Sequence, residues 1–376
     1  MKPFVTILIL LCCLSPTLLH SSSRGDSTQA LDKIEIAQSR HGRFLIFPYV
    51  FYTPETALAF GIGGIITFYT SEYLGLRPSK LSLSGYYSTN KQYKFTLTPQ
   101  VYLIRNQLFL SMDWVYGHFL EKFYGIGNST PENGTEEYTA DSWGLMASIQ
   151  LPPLFISRNP YTKVGLLFDY MNYQIDDVKE NSYLLDPELP GNQGGHHNGL
   201  GISWGLDTRD NIFYPTHGMF HQFMALFYLK ELGSQYVLQR FKLDLRQFLQ
   251  IVPSHILALQ ALLNVTDGTV PFYVLPKLGG QQIMRGYYEG RYRDKNLLAV
   301  QLEYRTHLVG KFGFIAFSGV GEVAHQFREF TMKGVKPSLG FGIRFLFSEQ
   351  EKVNLRADVG FGQHTYGIYF GIEEAF

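Results

Sequence analysis

Chemistry in this chain concentrates in Gly279-Gly280-Gln281-Gln282-Ile283-Met284-Arg285-Gly286-Tyr287-Tyr288-Glu289-Gly290-Arg291-Tyr292, where Arg285 stands among glycine, apolar and aromatic residues. A guanidinium carries its donors in a rigid fork, so the chemistry it suits is paired recognition of carboxylates. The glycines make this stretch a loop, and a long loop with its own side-chain order is more often functional than filler. A second constellation is Asp207-Thr208-Arg209-Asp210-Asn211-Ile212-Phe213-Tyr214-Pro215-Thr216-His217-Gly218. Asp210 and Asn211 favour turn geometry, Pro215 fixes one dihedral and Gly218 accepts positive φ, while Asp207 and Arg209 form a local charge pair. Other candidates are weaker. His196-His197 and His217/His221 stand in strands or turns, which do not bring residues four apart together as a helix would, and no G-x-S-x-G, H-E-x-x-H or phosphate-loop signature occurs. No metal, no cofactor and no enzyme activity are expected, although a dispersed Ser/His/Asn hydrolase site stays open.

The elements that position these residues are strands. Charged residues make up 17% of the chain and aromatics 15%, with 25 Tyr, 30 Phe and 37 Gly. Soluble domains carry about 25% charge, whereas outer-membrane barrels expose one face of each strand to lipid between aromatic girdles. Net charge is zero, which offers nothing to nucleic acid. Lys2 followed by the apolar run Phe4 to Leu14 reads as a secretory signal over residues 1–23, and it holds both cysteines, Cys12 and Cys13. Residues 24–42 read as a short polar periplasmic tail and residues 43–376 as the barrel. Beyond the leader no apolar run reaches the ~18 to 20 residues of a membrane helix, so a closed barrel is the spanning solution expected.

Strand-length segments run from Phe44–Tyr52 to Tyr366–Glu374, about sixteen in all. With the N-terminus in the periplasm, the long connections at Phe119–Glu137, Gln174–Asn198 and Thr266–Asn296 all fall outside. Parity is clearest late in the chain: Gln301, Glu303, Arg305 and His307 share one face, as do Asn354, Arg356 and Asp358. Arg or Lys facing lipid at the midplane would cost about 2–4 kcal/mol, so Glu303, Arg305, Arg344, Arg356 and Asp358 are expected to point inward. The fold class is therefore all-β: a transmembrane antiparallel barrel of about sixteen strands.

On the Arg285-Gly286-Tyr287 loop, the Asp207–Gly218 turn and the C-terminal Thr365–Phe376, the chain resembles the BamA/TamA outer-membrane assembly superfamily, also called the bacterial surface antigen family. The C-terminal recognition pattern of that family matches Thr365, Gly367, Phe370 and Ile372, and a terminal Phe376 is a family habit. The resemblance implies an extracellular loop folded into the lumen, its arginine paired with acids of the inner wall. Candidate partners by parity and family position are Asp358, then Glu322; a solvated loop arginine is the other reading. Met284 departs from the Val, Ile or Leu usual there. In the family the seam between first and last strands opens laterally. Here Pro48, Gly367 and Gly371 would weaken it, or mark only a rim irregularity. Assembly members carry periplasmic POTRA domains, and residues 24–42 are too few for one, so a POTRA-less, barrel-only member is expected.

The expected function is assistance in inserting or translocating proteins, or lipid, at the bacterial outer membrane. Expected partners are outer-membrane lipid and other outer-membrane or exported proteins. The alternatives are a passive pore or uptake channel and, behind it, an outer-membrane enzyme.

Overall fold

The computed structural model describes residues 43–53, 57–73, 75–131, 134–153, 161–178, 182–349 and 352–376. The expected signal over residues 1–23, the expected polar tail over residues 24–42 and most of the expected turn at Thr53–Thr56 lie outside the described residues. The strands are β1 (Arg43–Thr53), β2 (Ala57–Phe68), β3 (Ser79–Ser88), β4 (Tyr93–Leu103), β5 (Leu108–Phe123) and β6 (Glu136–Leu151). They continue with β7 (Thr162–Asp176), β8 (Gly195–Asp207), β9 (Gly218–Tyr228), β10 (Leu238–Val252), β11 (His255–Gly268) and β12 (Lys277–Leu278). Last come β13 (Tyr292–Arg293), β14 (Asn296–Val309), β15 (Phe312–Ala324), β16 (Lys336–Ser348), β17 (Val353–Gly362) and β18 (Thr365–Ile372).

Sixteen of these form one sheet in chain order, with β11 beside β14, while β12 and β13 make a separate two-stranded ladder inside the intervening loop. Each neighbouring pair is antiparallel, as from Leu263↔Leu298 between β11 and β14 to Asp358↔Tyr369 between β17 and β18. β1 and β18 stand at the two ends of the order. The sheet curls so that these ends approach: Lys80 of β3 binds Glu373 just past β18. Ile65 of β2 also shares an apolar cluster with Val353 of β17 and Ile372 of β18.

Alternation decides which side chains meet lipid. On β14, Gln301, Glu303 and Arg305 are buried, whereas Leu298 and Val300 are exposed outward. On β16, Ser338 and Arg344 are buried while Leu339, Phe341 and Ile343 are exposed. Successive Cβ atoms point to opposite faces, so an outward apolar row and an inward polar row follow from one sequence pattern.

Several strand boundaries differ from the sequence reading, among them β8, which begins at Gly195 inside the expected loop at Gln174–Asn198. β5 runs on to Phe123 and pairs with β6 as far as Glu136, so both ends of the expected loop at Phe119–Glu137 are ladder and the connection shortens to residues 124–135. Glu121, Lys122, Glu136 and Glu137 mask the apolar alternation there, yet charged strands pair freely beyond the lipid band. The chain end also departs from a simple strand. β18 stops at Ile372, Glu373 adopts φ +65°, and Ala375 and Phe376 turn into a buried cluster with Phe248 and Ala258. Phe376 is therefore not part of the terminal strand that carries Gly367, Phe370 and Ile372.

Candidate functional site: a loop arginine held in a barrel lumen

The loop between β11 and β14 is built to dip and return. Lys277↔Arg293 and Leu278↔Tyr292 close its neck. Gly279, Gly280, Gly286 and Gly290 all take positive φ, the region where only glycine is comfortable. Gly286 has a second reason to lack a side chain. A Cβ there would lie 2.6 Å from the Gly362 nitrogen, and one on Gly360 would lie 2.6 Å from the Arg285 carbonyl carbon. Loop backbone and β17 backbone touch at these two glycines.

This contact sets the depth of Arg285, which is 1% exposed. Its Nη1 donates to Asp358 Oδ2 at 2.6 Å, and its Nη2 donates to the Glu303 carboxylate. The guanidinium lies 3.6 Å from the Phe317 ring centroid, and Ser338 Oγ donates to the Arg285 carbonyl at 2.5 Å. Gly286 N–H donates to the Tyr369 hydroxyl at 2.8 Å, and Tyr287 Oη donates to the Pro337 carbonyl at 2.7 Å. Met284 is fully buried in an apolar cluster with Leu278, Tyr287 and Val323, the apolar environment its family counterparts also suit.

Both acids are shared with wall arginines. Arg305 Nε donates to Glu303 Oε1 at 2.8 Å; Arg344 Nη1 and Arg356 Nη1 donate to Asp358 at 2.5 and 3.2 Å. Four guanidiniums thus stand around Glu303 and Asp358, with Glu374 adding a third carboxylate 2.7 Å from Arg344 Nε. Buried charges of this kind persist only when paired and hydrogen-bonded.

Glu322 is placed elsewhere. Its carboxylate accepts from Thr331 N–H at 3.1 Å and from Asn128 Nδ2 at 3.3 Å, near the outer rim. Glu322 pairs with the outward Leu298 and so stands on the opposite face of β15 from Phe317, over which Arg285 sits, and about 16 Å farther along the strand. The second partner is Glu303. Inward parity marks Glu303 in the sequence, but only the β14–β15 register, which sets Glu303 opposite Phe317, puts it level with the arginine. Gly360 and Ser338 carry no sequence signal beyond a strand glycine and a strand serine.

The turn between β8 and β9 is held by its own side chains. Asp207 accepts from Arg209 Nε at 2.9 Å and Nη2 at 3.1 Å, and from Arg77 Nη1 at 2.5 Å. Asn211 Oδ1 accepts from Phe213 N–H and Tyr214 N–H, each at 2.8 Å. Asp210 accepts from Thr216 N–H at 2.8 Å, Thr216 Oγ1 at 2.7 Å and His217 N–H at 3.2 Å. Burial raises the Asp210 carboxyl, but the bonds from Thr216 and His217 outweigh it and hold the group below the usual carboxylate range. Pro215 is buried at the turn, and Gly218 takes φ +100°.

At the seam, Pro48 is exposed and pairs in register with Ile62 on β2. The glycines of β18 make room for inward side chains. A Cβ on Gly371 would lie 2.7 Å from Arg356 Nε, and one on Gly367 would meet the Tyr369 ring. Beneath the Arg285 loop lies a cavity of about 1010 Å³, lined by Gln282 from the loop, Lys163 and Arg246 from the wall, and Asp207, Phe213 and Phe376 at the far end. Among the described residues no group of three or more His, Cys, Asp or Glu could hold a metal ion.

A sixteen-stranded antiparallel sheet with a lipid-facing outer row, a polar lumen and an ingoing loop arginine defines an outer-membrane β-barrel. Residues 72–376 match the Omp85 superfamily domain, and the chain belongs to that superfamily. No curated protein matches the sequence. Among solved structures it is similar to BamA from Haemophilus ducreyi lacking POTRA domains 1-3, at 15% identity and a TM-score of 0.56, over 88% of this chain and 70% of that one. CdiB from Acinetobacter baumannii is similar at 12% identity and a TM-score of 0.54, over 88% and 59%. CdiB from Escherichia coli gives 11% and 0.55, over 88% and 62%, so the chain spans about three fifths of both CdiB chains. Members of this superfamily are outer-membrane proteins of bacteria, and the chain is placed there with them.

Proposed function

We propose that this barrel assists the insertion of proteins into the outer membrane or their translocation across it, and that it is not an enzyme. The observation that carries the reading is Arg285 bound to both Glu303 and Asp358 with no exposed surface. A loop fixed from β14 to β17 braces the wall beside the last strand, while β1 and β18 remain the ends of the hydrogen-bonded order. Such a construction supports a stiff wall next to a seam that parts, at which an incoming strand can pair with an unsatisfied edge. Superfamily membership supports the same class of activity. The partners proposed are exported or outer-membrane polypeptides and the surrounding lipid, which the outward rows such as Leu339, Phe341 and Ile343 contact.

A passive pore fits less well, because the Arg285 loop occupies the lumen above the cavity and its anchors are buried ion pairs. Depletion of the protein followed by quantitation of every outer-membrane protein tests the proposal. Loss of several barrels, or of one exported cargo, is expected. An unchanged outer-membrane protein profile with altered small-solute uptake would favour the pore.

A further inference from the structure

The β8–β9 turn does more than reverse the chain. β8 and β9 are the eighth and ninth of sixteen strands, the pair farthest from both ends of the order. Yet Phe213 of that turn is 2% exposed and shares one apolar cluster with Ile65 of β2 and Val353 of β17, with Ile372 of β18 packed against it. Charged contacts follow the same path. Lys80 of β3 lies 5.2 Å from the Phe213 ring centroid and donates to both Glu373 carboxylate oxygens, at 2.7 and 2.9 Å. Arg77, just before β3, donates to the Asp207 carboxylate and carbonyl at 2.5 and 3.0 Å. Beyond the seam, Tyr214 has the Arg305 guanidinium 5.9 Å from its ring centroid.

A turn from the opposite wall therefore touches the strands on both sides of the seam at its periplasmic end. We infer that the Asp207–Gly218 turn is an internal clasp: Phe213, wedged with Ile65, Val353 and Ile372, and the Lys80–Glu373 pair keep the seam shut at that end until the turn withdraws. The physical reason is that parting β2 and β3 from β17 and β18 must uncover Phe213 and separate a partly buried, two-oxygen ion pair at once. The two contacts share Lys80, so they open together. This inference deepens the proposed function, since a clasp matters only if the seam parts.

The test is a distance distribution by pulsed electron paramagnetic resonance in liposomes, with spin labels on the lipid-exposed positions Ile46 of β1 and Ile368 of β18. The parent is expected to give one narrow population. Phe213→Ala should add a longer-distance population at least several-fold above the parent, and Phe213→Leu, which keeps most of the apolar contact, should restore the narrow one. Glu373→Gln, which leaves Phe213 in place, should broaden the distribution less, and it decides the matter if Phe213→Ala does not fold. Folded Phe213→Ala and Glu373→Gln proteins with parental distributions would overturn the clasp. A broadened Phe213→Ala distribution in a protein that has no effect on other outer-membrane proteins would leave the clasp standing and count against the insertion reading alone.

Discussion

Arg285 and Asp358, 73 residues apart in sequence, meet at 2.6 Å with neither side chain exposed. Their relationship is unequal. Without Arg285, Asp358 keeps Arg344 and Arg356, and Glu303 keeps Arg305. Without Asp358, Arg285 keeps Glu303 and Arg344 keeps Glu374, but the buried Arg356 loses its ion pair.

Asp358→Ala is accordingly expected to destabilise the barrel more than Arg285→Ala. Leaving buried charge unpaired costs about 3–5 kcal/mol; removing Asp358 leaves Arg356 so, whereas removing Arg285 leaves each acid with a wall arginine. Urea denaturation of the two variants in detergent, followed by heat-modifiable gel mobility, orders them. Equal midpoints would mean that the wall arginines do not depend on Asp358.

Gly286→Ala is expected to lift the loop from the wall. The backbone there has φ +114°, and the added methyl would meet β17 backbone. Strain in this region costs on the order of 1–3 kcal/mol, enough to weaken the arginine's seat. Protease sensitivity of the loop on intact cells should rise in Gly286→Ala and in Arg285→Ala alike, and a protected Gly286→Ala loop would contradict the close approach.

Outward and inward neighbours should respond oppositely to charge. Ile343 is 54% exposed to the lipid side, while Arg344 is buried in the lumen. Ile343→Arg is expected to cost about 2–4 kcal/mol near the midplane. An Ile343→Arg protein as stable as the parent would reverse the assignment of faces on β16.

The β8–β9 turn should loosen in acid. The folded Asp210 carboxyl is held below its usual range, so the stability it contributes is present above the unfolded value and is lost as pH falls through the folded one. Hydrogen exchange of the Thr216 and His217 amides should therefore accelerate, after correction for intrinsic rates, as pH drops below about 4. In Asp210→Asn this acid-dependent component should vanish; its persistence would assign the effect to another group.

Much of this fold is legible in the residues. Sixteen alternating segments become the sixteen strands of the main sheet, because lipid on one side and a polar lumen on the other leave little choice of face. The inward set of Glu303, Arg305, Arg344, Arg356 and Asp358 follows from the same parity. Depth along a strand is another matter. Register sets Glu322 opposite the outward Leu298 and Glu303 opposite Phe317, so strand pairing leaves only Glu303 on the face and at the level of Arg285. The inward turn of Phe376 and the reach of Phe213 are equally hidden, since both depend on residues brought together across the lumen.

The most direct measurement of the central claim is folding of an unfolded outer-membrane protein into liposomes that contain this barrel, with cysteines placed to lock β1 to β18. Faster folding than in empty liposomes is predicted, lost when the seam is oxidised shut and regained on reduction. Folding no faster than in empty liposomes, or equally fast with the seam locked, would contradict it.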